Sequence, residues 1–156
     1  MNNKKNGIKL YNAYFPLWAL ILFPKMWLVI IPANFIIDSI VLIISMLILK
    51  IADKKKFYIK HIFIIYGFGM LSDIIGAGFM LMMTGVFHIG ANGHEPYLTI
   101  PGLLISAGLI FLLNYFITFR KQDKAVKLKL ALIYAIVTAP YTFVLPLPFI
   151  PPIWAY

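Results

Sequence analysis

Three groups of basic residues divide this chain into long apolar stretches, and no other feature constrains its fold as tightly. Lys4, Lys5 and Lys9 form the first group; Lys50, Lys54, Lys55, Lys56 and Lys60 the second; Arg120, Lys121, Lys124, Lys127 and Lys129 the third. Short connections rich in Lys and Arg stay on the cytoplasmic side of a membrane, so an even number of crossings is expected between one group and the next. A hydrophobic share of 62%, a charged share of 12% and a mean hydropathy of +0.91 put the intervening stretches in lipid rather than in a soluble core. A transmembrane helix uses roughly 20 apolar residues, so the chain is read as one integral membrane domain over residues 1–156. The expected fold class is all-α: a polytopic membrane helix bundle with about four to five transmembrane helices and Pro-broken segments.

The clearest pair of crossings lies between the second and third basic groups. An outward helix is expected over 58–84 and an inward one over 97–119. The connection between them contains no Lys or Arg and carries Gly85, Gly90, Gly93 and Pro96, which favour turns. Upstream, the first two groups call for two short helices, over 13–31 and 33–50. Their tight turn is placed at Ile31 to Asn34, with Pro32 in the first turn of the second helix and Pro24 kinking the first. The alternative is a re-entrant segment up to Pro24 followed by one long helix from Lys25 to Leu49. A fifth helix over 127–146 meets Pro140 and Pro146. The Pro-rich tail 147–156 then lies along the interface, anchored by Trp154 and Tyr156. Four crossings with an embedded tail is the alternative there. The basic start resembles a signal peptide but lacks an A-x-A cleavage site, so it is read as retained, with the N-terminus cytoplasmic in a multi-pass protein of the cell membrane.

Ionisable groups within apolar runs need a reason, since a charge at mid-bilayer costs about 2.5–3.5 kcal/mol on insertion scales. Asp73 lies near the middle of the third expected helix, with Gly69, Ser72 and Gly76 on the same side at spacings of three and four. Small residues in that pattern admit a neighbouring helix, so this face is a helix contact that contains an acid. It is either a proton or cation site or a carboxyl that fixes packing. Asp38 shares a stripe with Asn34 and, with the turn at Pro32, sits near the outer headgroups. Lys25 either snorkels to a surface or pairs with one of the acids, which leaves the other free to bind an ion. Asn114, together with the small pair Gly102 and Ser106, reads as contact between helices, as does the seam of Tyr134, Thr138 and Tyr141. Lys25, Asn34, Asp38, Asp73 and Asn114 are therefore the candidate ion or substrate pathway.

Other chemistry is poorly represented. The absence of cysteine removes disulfides, thiolate metal sites, iron–sulfur clusters and cysteine nucleophiles. His88, His94 and Glu95 in the outer connection do not have a recognised ligand spacing, and no metal or cofactor is expected. No phosphate-binding loop, dinucleotide fingerprint, zinc-protease motif or serine nucleophile elbow occurs. The net charge of +9 flanks the apolar runs, so its expected partners are the bilayer and its anionic headgroups rather than nucleic acid. Expected function is thus non-enzymatic: an oligomeric transporter or channel for an ion or small solute that uses intramembrane acids. The alternative is an accessory, assembly or immunity-type subunit of a larger membrane protein.

Overall fold

The computed structural model describes residues 24–89 and 95–144, and helices account for nearly all of them. The first helix, α1 (Pro24–Ile48), begins with a proline, whose missing N–H is one that a helix start leaves unpaired in any case. It then runs without interruption through Pro32. The turn expected at Ile31 to Asn34 does not form, so the separate helices 13–31 and 33–50 are corrected to the long-helix alternative over the described residues. The physical reason is a comparison of losses. Keeping the helix leaves one carbonyl, that of Leu28, without its usual donor, whereas a turn in lipid strips several backbone groups of partners. The part of the expected first helix before Pro24, the tail 147–156 and His94 lie outside the described residues.

A short connection leads to α2 (Lys54–Gly85), 32 residues or about 48 Å at 1.5 Å per residue. Lys50 and Asp53 flank the connection in left-handed conformation, each with φ of 50°. Because α2 is longer than a roughly 30 Å hydrocarbon core, its lysine-bearing first turns are free to project beyond it. Glu95 is extended, its carbonyl accepts from the N–H groups of Leu98 and Thr99, and Pro96 opens α3 (Pro96–Leu113). The α3 backbone widens into one π-helical turn over Asn114–Thr118. Finally, α4 (Lys124–Val137) stops short of the expected 127–146, because Pro140 has no N–H and disfavours helical geometry in the residue before it. The chain continues as a 3₁₀ turn, Tyr141–Phe143.

The closest helix contact is between α2 and α3, where glycines face each other. A methyl group on Gly76 would come within 2.8 Å of the Phe143 ring, 3.0 Å of the Gly102 carbonyl and 3.1 Å of Ser106 Cβ. One on Gly102 would meet Met80 at 2.9 Å. Around this crossing Ala77, Met80, Leu98 and Phe143 form one apolar cluster. A larger cluster at the other end gathers Leu42, Met46, Phe57, Ile65, Ile110, Phe119, Leu130 and Tyr134 from all four helices. There Phe57 stacks on Phe119 with ring centres 6.3 Å apart. This contact brings the start of α2 beside the end of α3, so the second and third basic groups share one end of the bundle.

All four helices are long and apolar enough to cross a membrane, and only 22% to 28% of each span is buried within the chain. The remaining surface is Ile, Leu, Phe and Val facing outward, as lipid contact requires. Two outcomes follow from this packing. Gly76→Ala lowers stability by about 1–3 kcal/mol through overpacking, whereas Gly78→Ala, with open space around it, is neutral or raises stability by about 0.5–1 kcal/mol. Thermal unfolding of both variants in the same detergent checks this contrast. Single cysteines placed at Lys55 and Lys124 react with an impermeant thiol reagent from the same side of sealed vesicles, and one at Phe87 from the opposite side. Labelling of all three from one side would contradict the arrangement.

Candidate intramembrane acid site

Asp38 occupies the middle of α1, not a headgroup-level end, and only 5% of the residue is exposed. It reaches this position because α1 continues through Pro32. Its carboxylate lies over Gly69 of α2, where a methyl group would be 3.6 Å from Asp38 Oδ2. Gly69 is one turn from Asp73 on the same helix, and positions four apart have Cβ atoms about 5–6 Å from one another. The two carboxyl groups, from different helices, therefore lie within a helical turn of each other and interact electrostatically. A methyl group at position 69 would make ordinary van der Waals contact with the Asp38 carboxylate.

The neighbouring helices supply hydroxyls. Ser106 of α3 donates to Asp73 Oδ1 at 2.9 Å, a bond made possible by the close α2–α3 crossing one turn away. Tyr134 of α4, completely buried, donates to the backbone carbonyl of Asp38 at 2.9 Å. Tyr58 of α2 donates to Ser39 Oγ at 2.9 Å, and Ser39 in turn donates to the Phe35 carbonyl. Among the described residues no hydrogen-bond donor reaches the Asp38 carboxylate, and no Lys or Arg pairs with either acid. The site thus holds two carboxyl groups on membrane-capable helices, one hydroxyl bonded to Asp73 and, among the described residues, no paired Lys or Arg.

The other expected site residues are distributed around this pair. Lys25 is exposed in the first turn of α1. Thirteen residues separate it from Asp38, roughly 20 Å along the helix, so the two do not pair. Asn34 is half-buried and donates from Nδ2 to the Met70 sulfur at 3.3 Å. Asn114 is completely buried but bonds within its own helix, to the Ile110 carbonyl at 2.9 Å, rather than across to another. Ser72 likewise donates to the Phe68 carbonyl of its own helix. Gly76, Gly102 and Ser106 meet at the α2–α3 crossing. Of the tyrosine and threonine seam, only Tyr134 reaches another helix; Thr138 and Tyr141 bond to carbonyls of their own segment.

Sequence reasoning did not single out the buried polar residues Ser45, His61, Thr99 and Thr118. His61 is 4% exposed, with Nδ1 2.7 Å from the Phe57 carbonyl and its ring 5.8 Å from that of Phe119. Its place after Lys60 makes it look like a flanking polar residue, although its spacing of four from both Phe57 and Ile65 puts it on the buried face. Thr118 is buried in the π turn, and its hydroxyl, like Asn114 Oδ1, has no hydrogen-bond partner. Among the described residues no group of three His, Cys, Asp or Glu side chains converges as a metal site, and His88 is exposed.

No protein-family model, curated protein or solved structure matches the chain. Function therefore has to be argued from the geometry. The hydroxyl contacts give a first quantitative expectation. Tyr134→Phe costs about 0.5–1.5 kcal/mol, the net worth of one neutral hydrogen bond, and Ser106→Ala costs more, about 1.5–3 kcal/mol if Asp73 is ionised. Chemical or thermal unfolding in mild detergent measures both. A Ser106→Ala variant as stable as the wild type would remove that bond from the account of the fold.

Proposed function

We propose that this protein is a small ion transporter whose binding site is the Asp38–Asp73 pair. The observation that carries the reading is the convergence of two carboxyl groups from α1 and α2 at bilayer depth without a basic partner. Ionisable groups in such places are costly and, in membrane proteins, mark ion pathways and proton relays by default. A packing role alone is served at lower cost by the amides and hydroxyls this chain already uses, such as Asn34 and Ser72. Two acids a helical turn apart add mutual repulsion when both are ionised, which packing does not need and a bound cation relieves.

The size of the chain bears on its assembly. Four helices whose mutual contacts are filled with apolar side chains leave the outward surface as the place for further copies. A homo-oligomer is part of this proposal, with the basic end of each copy set against anionic headgroups. The exposed lysines Lys54, Lys55, Lys56 and Lys60, grouped at the start of α2, suit phosphate-bearing lipids there. Docking of the apolar surface on a larger membrane protein, with no transport, is the competing role.

Reconstitution distinguishes the two. Proteoliposomes containing the wild-type chain show ion flux driven by a pH or salt gradient, and Asp73→Asn or Asp38→Asn lowers it at least tenfold while thermal unfolding shows the variants still folded. Flux indistinguishable from empty liposomes, together with stoichiometric co-purification of a second membrane protein, overturns the transport reading in favour of the accessory role.

A further inference from the structure

We propose that the species bound between Asp38 and Asp73 is a proton, which reaches the acids from the basic end of the bundle past His61, Thr118 and Asn114. The proposal rests on the reading of the acid pair as an ion site and names its ligand.

The acids alone would not carry this; the state of Asp38 does. The residue is 5% exposed and its carboxylate finds no donor among the described residues, yet it lies over Gly69, one turn from Asp73. Something that removes or offsets charge belongs there. Alkali cations in membrane transporters are coordinated largely by carbonyls of unwound helices. Here α1 is continuous through Asp38 and α2 through Gly69 and Asp73, so their carbonyls at this level are engaged in helical hydrogen bonds. The irregular backbone lies elsewhere: Pro32, Pro101 and the π turn are all more than a helical turn from either acid along the chain. Among the described residues the protein oxygens within reach are carboxylate and hydroxyl, and a proton needs only one lone pair of them.

The surroundings of the pair differ at its two ends. Towards Phe143 the next layer is apolar: Gly76 in contact with the Phe143 ring, then Ala77, Met80 and Leu98. Towards the lysines the larger apolar cluster is interrupted by three buried polar side chains, Asn114, Thr118 and His61. Asn114 lies eight residues from Ser106 on α3, about 12 Å nearer the basic end, and Thr118 and His61 follow at the level of Phe119. Asn114 Oδ1 and the Thr118 hydroxyl are both buried without partners, in the one turn where α3 departs from α-helical geometry. Unpaired buried polar atoms in a π turn are the places where water enters when the packing relaxes, and π turns recur at functional sites. The titratable groups facing the pair are Tyr66 from α2 and Tyr134 from α4, with Tyr58 of α2 beside Tyr134; α3 contributes the Ser106 hydroxyl.

The step balances simply. Hydronium at the basic end gives up H⁺ and becomes water, a carboxylate oxygen of the pair forms an O–H bond, and one negative charge is removed from the bundle. Release breaks that bond and returns H⁺ to water, on the far side once Phe143 withdraws from Gly76.

Infrared titration of the purified full chain in lipid nanodiscs tests the inference. The expected result is a carboxylic-acid carbonyl band that gives way to carboxylate as pH rises, disappears in Asp38→Asn or Asp73→Asn, and is unmoved by Na⁺ or K⁺ at fixed pH. Carbon-13 aspartate labelling assigns the band in the unsubstituted chain, so the result does not depend on the variants folding. The double variant Asn114→Leu, Thr118→Val keeps the band but slows its hydrogen–deuterium shift at least tenfold. Absence of an aspartic-acid band at every pH, or its discharge by Na⁺ or K⁺, overturns the proton; an unchanged exchange rate in the double variant overturns the route. Asp73-dependent Na⁺ or K⁺ flux without the band leaves the transport reading standing and removes this one. The band without flux of any ion does the reverse.

Discussion

Satisfaction of backbone polar groups without water is the constraint from which the rest of this structure follows. In hydrocarbon an unpaired N–H or C=O costs several kcal/mol, so the chain keeps its helices whole wherever it can. The passage of α1 through Pro32 is the plainest case. It also has a consequence for the acids. Had the helix broken at Pro32, Asp38 would stand near a helix start, within reach of water; because it does not break, Asp38 lies fourteen residues into a continuous helix and is buried against α2. The position of the most expensive side chain in α1 is thus set by the cheapest way of carrying a proline.

Glycine then decides how the helices meet. Lipid chains are as apolar as the side chains they surround, so helices associate through close packing and polar contacts rather than through loss of water. At Gly76 and Gly102 that packing is close enough that an added methyl would collide with backbone or ring, and the same approach brings Ser106 into hydrogen-bond range of Asp73. At Gly69 the backbone of α2 comes into van der Waals range of the Asp38 carboxylate. A single stripe on α2, Gly69, Asp73 and Gly76, therefore organises contacts to α1 and α3 together. The hydroxyl of Tyr134 adds α4 to the same group through the Asp38 carbonyl.

Much of this was legible in the sequence, for identifiable reasons. Hydropathy and the placement of lysines revealed a helical bundle because length and charge act on each segment alone. Spacings of three and four located the Gly69, Ser72, Asp73 and Gly76 face because α2 is regular there. What sequence could not weigh was competition between two local signals. Pro32 reads equally as a helix start and as a residue carried inside a helix, and only the surrounding solvent tips the balance. Asn114 was expected to bond across helices; it bonds instead to the Ile110 carbonyl one turn back on its own helix, an acceptor that competes locally with any partner across the bundle. The meeting of Asp38 with Gly69, and of Tyr134 with Asp38, joins residues 31 and 96 positions apart, and no periodicity encodes such a pairing.

The same close packing bears on how the proposed site exchanges its ion. A pore needs a continuous wet passage, and here the layer beyond Asp73 is closed by Phe143 resting where a side chain on Gly76 would have been. Phe143 sits on a short 3₁₀ turn after α4 rather than inside a long helix, and Pro140 separates the two. A short turn after a proline moves at less cost than a helix held along its length, since fewer backbone bonds have to be given up. For the proposed ion transport this geometry favours a carrier over an open pore, since the Phe143 ring must withdraw from Gly76 before the acids meet the far side.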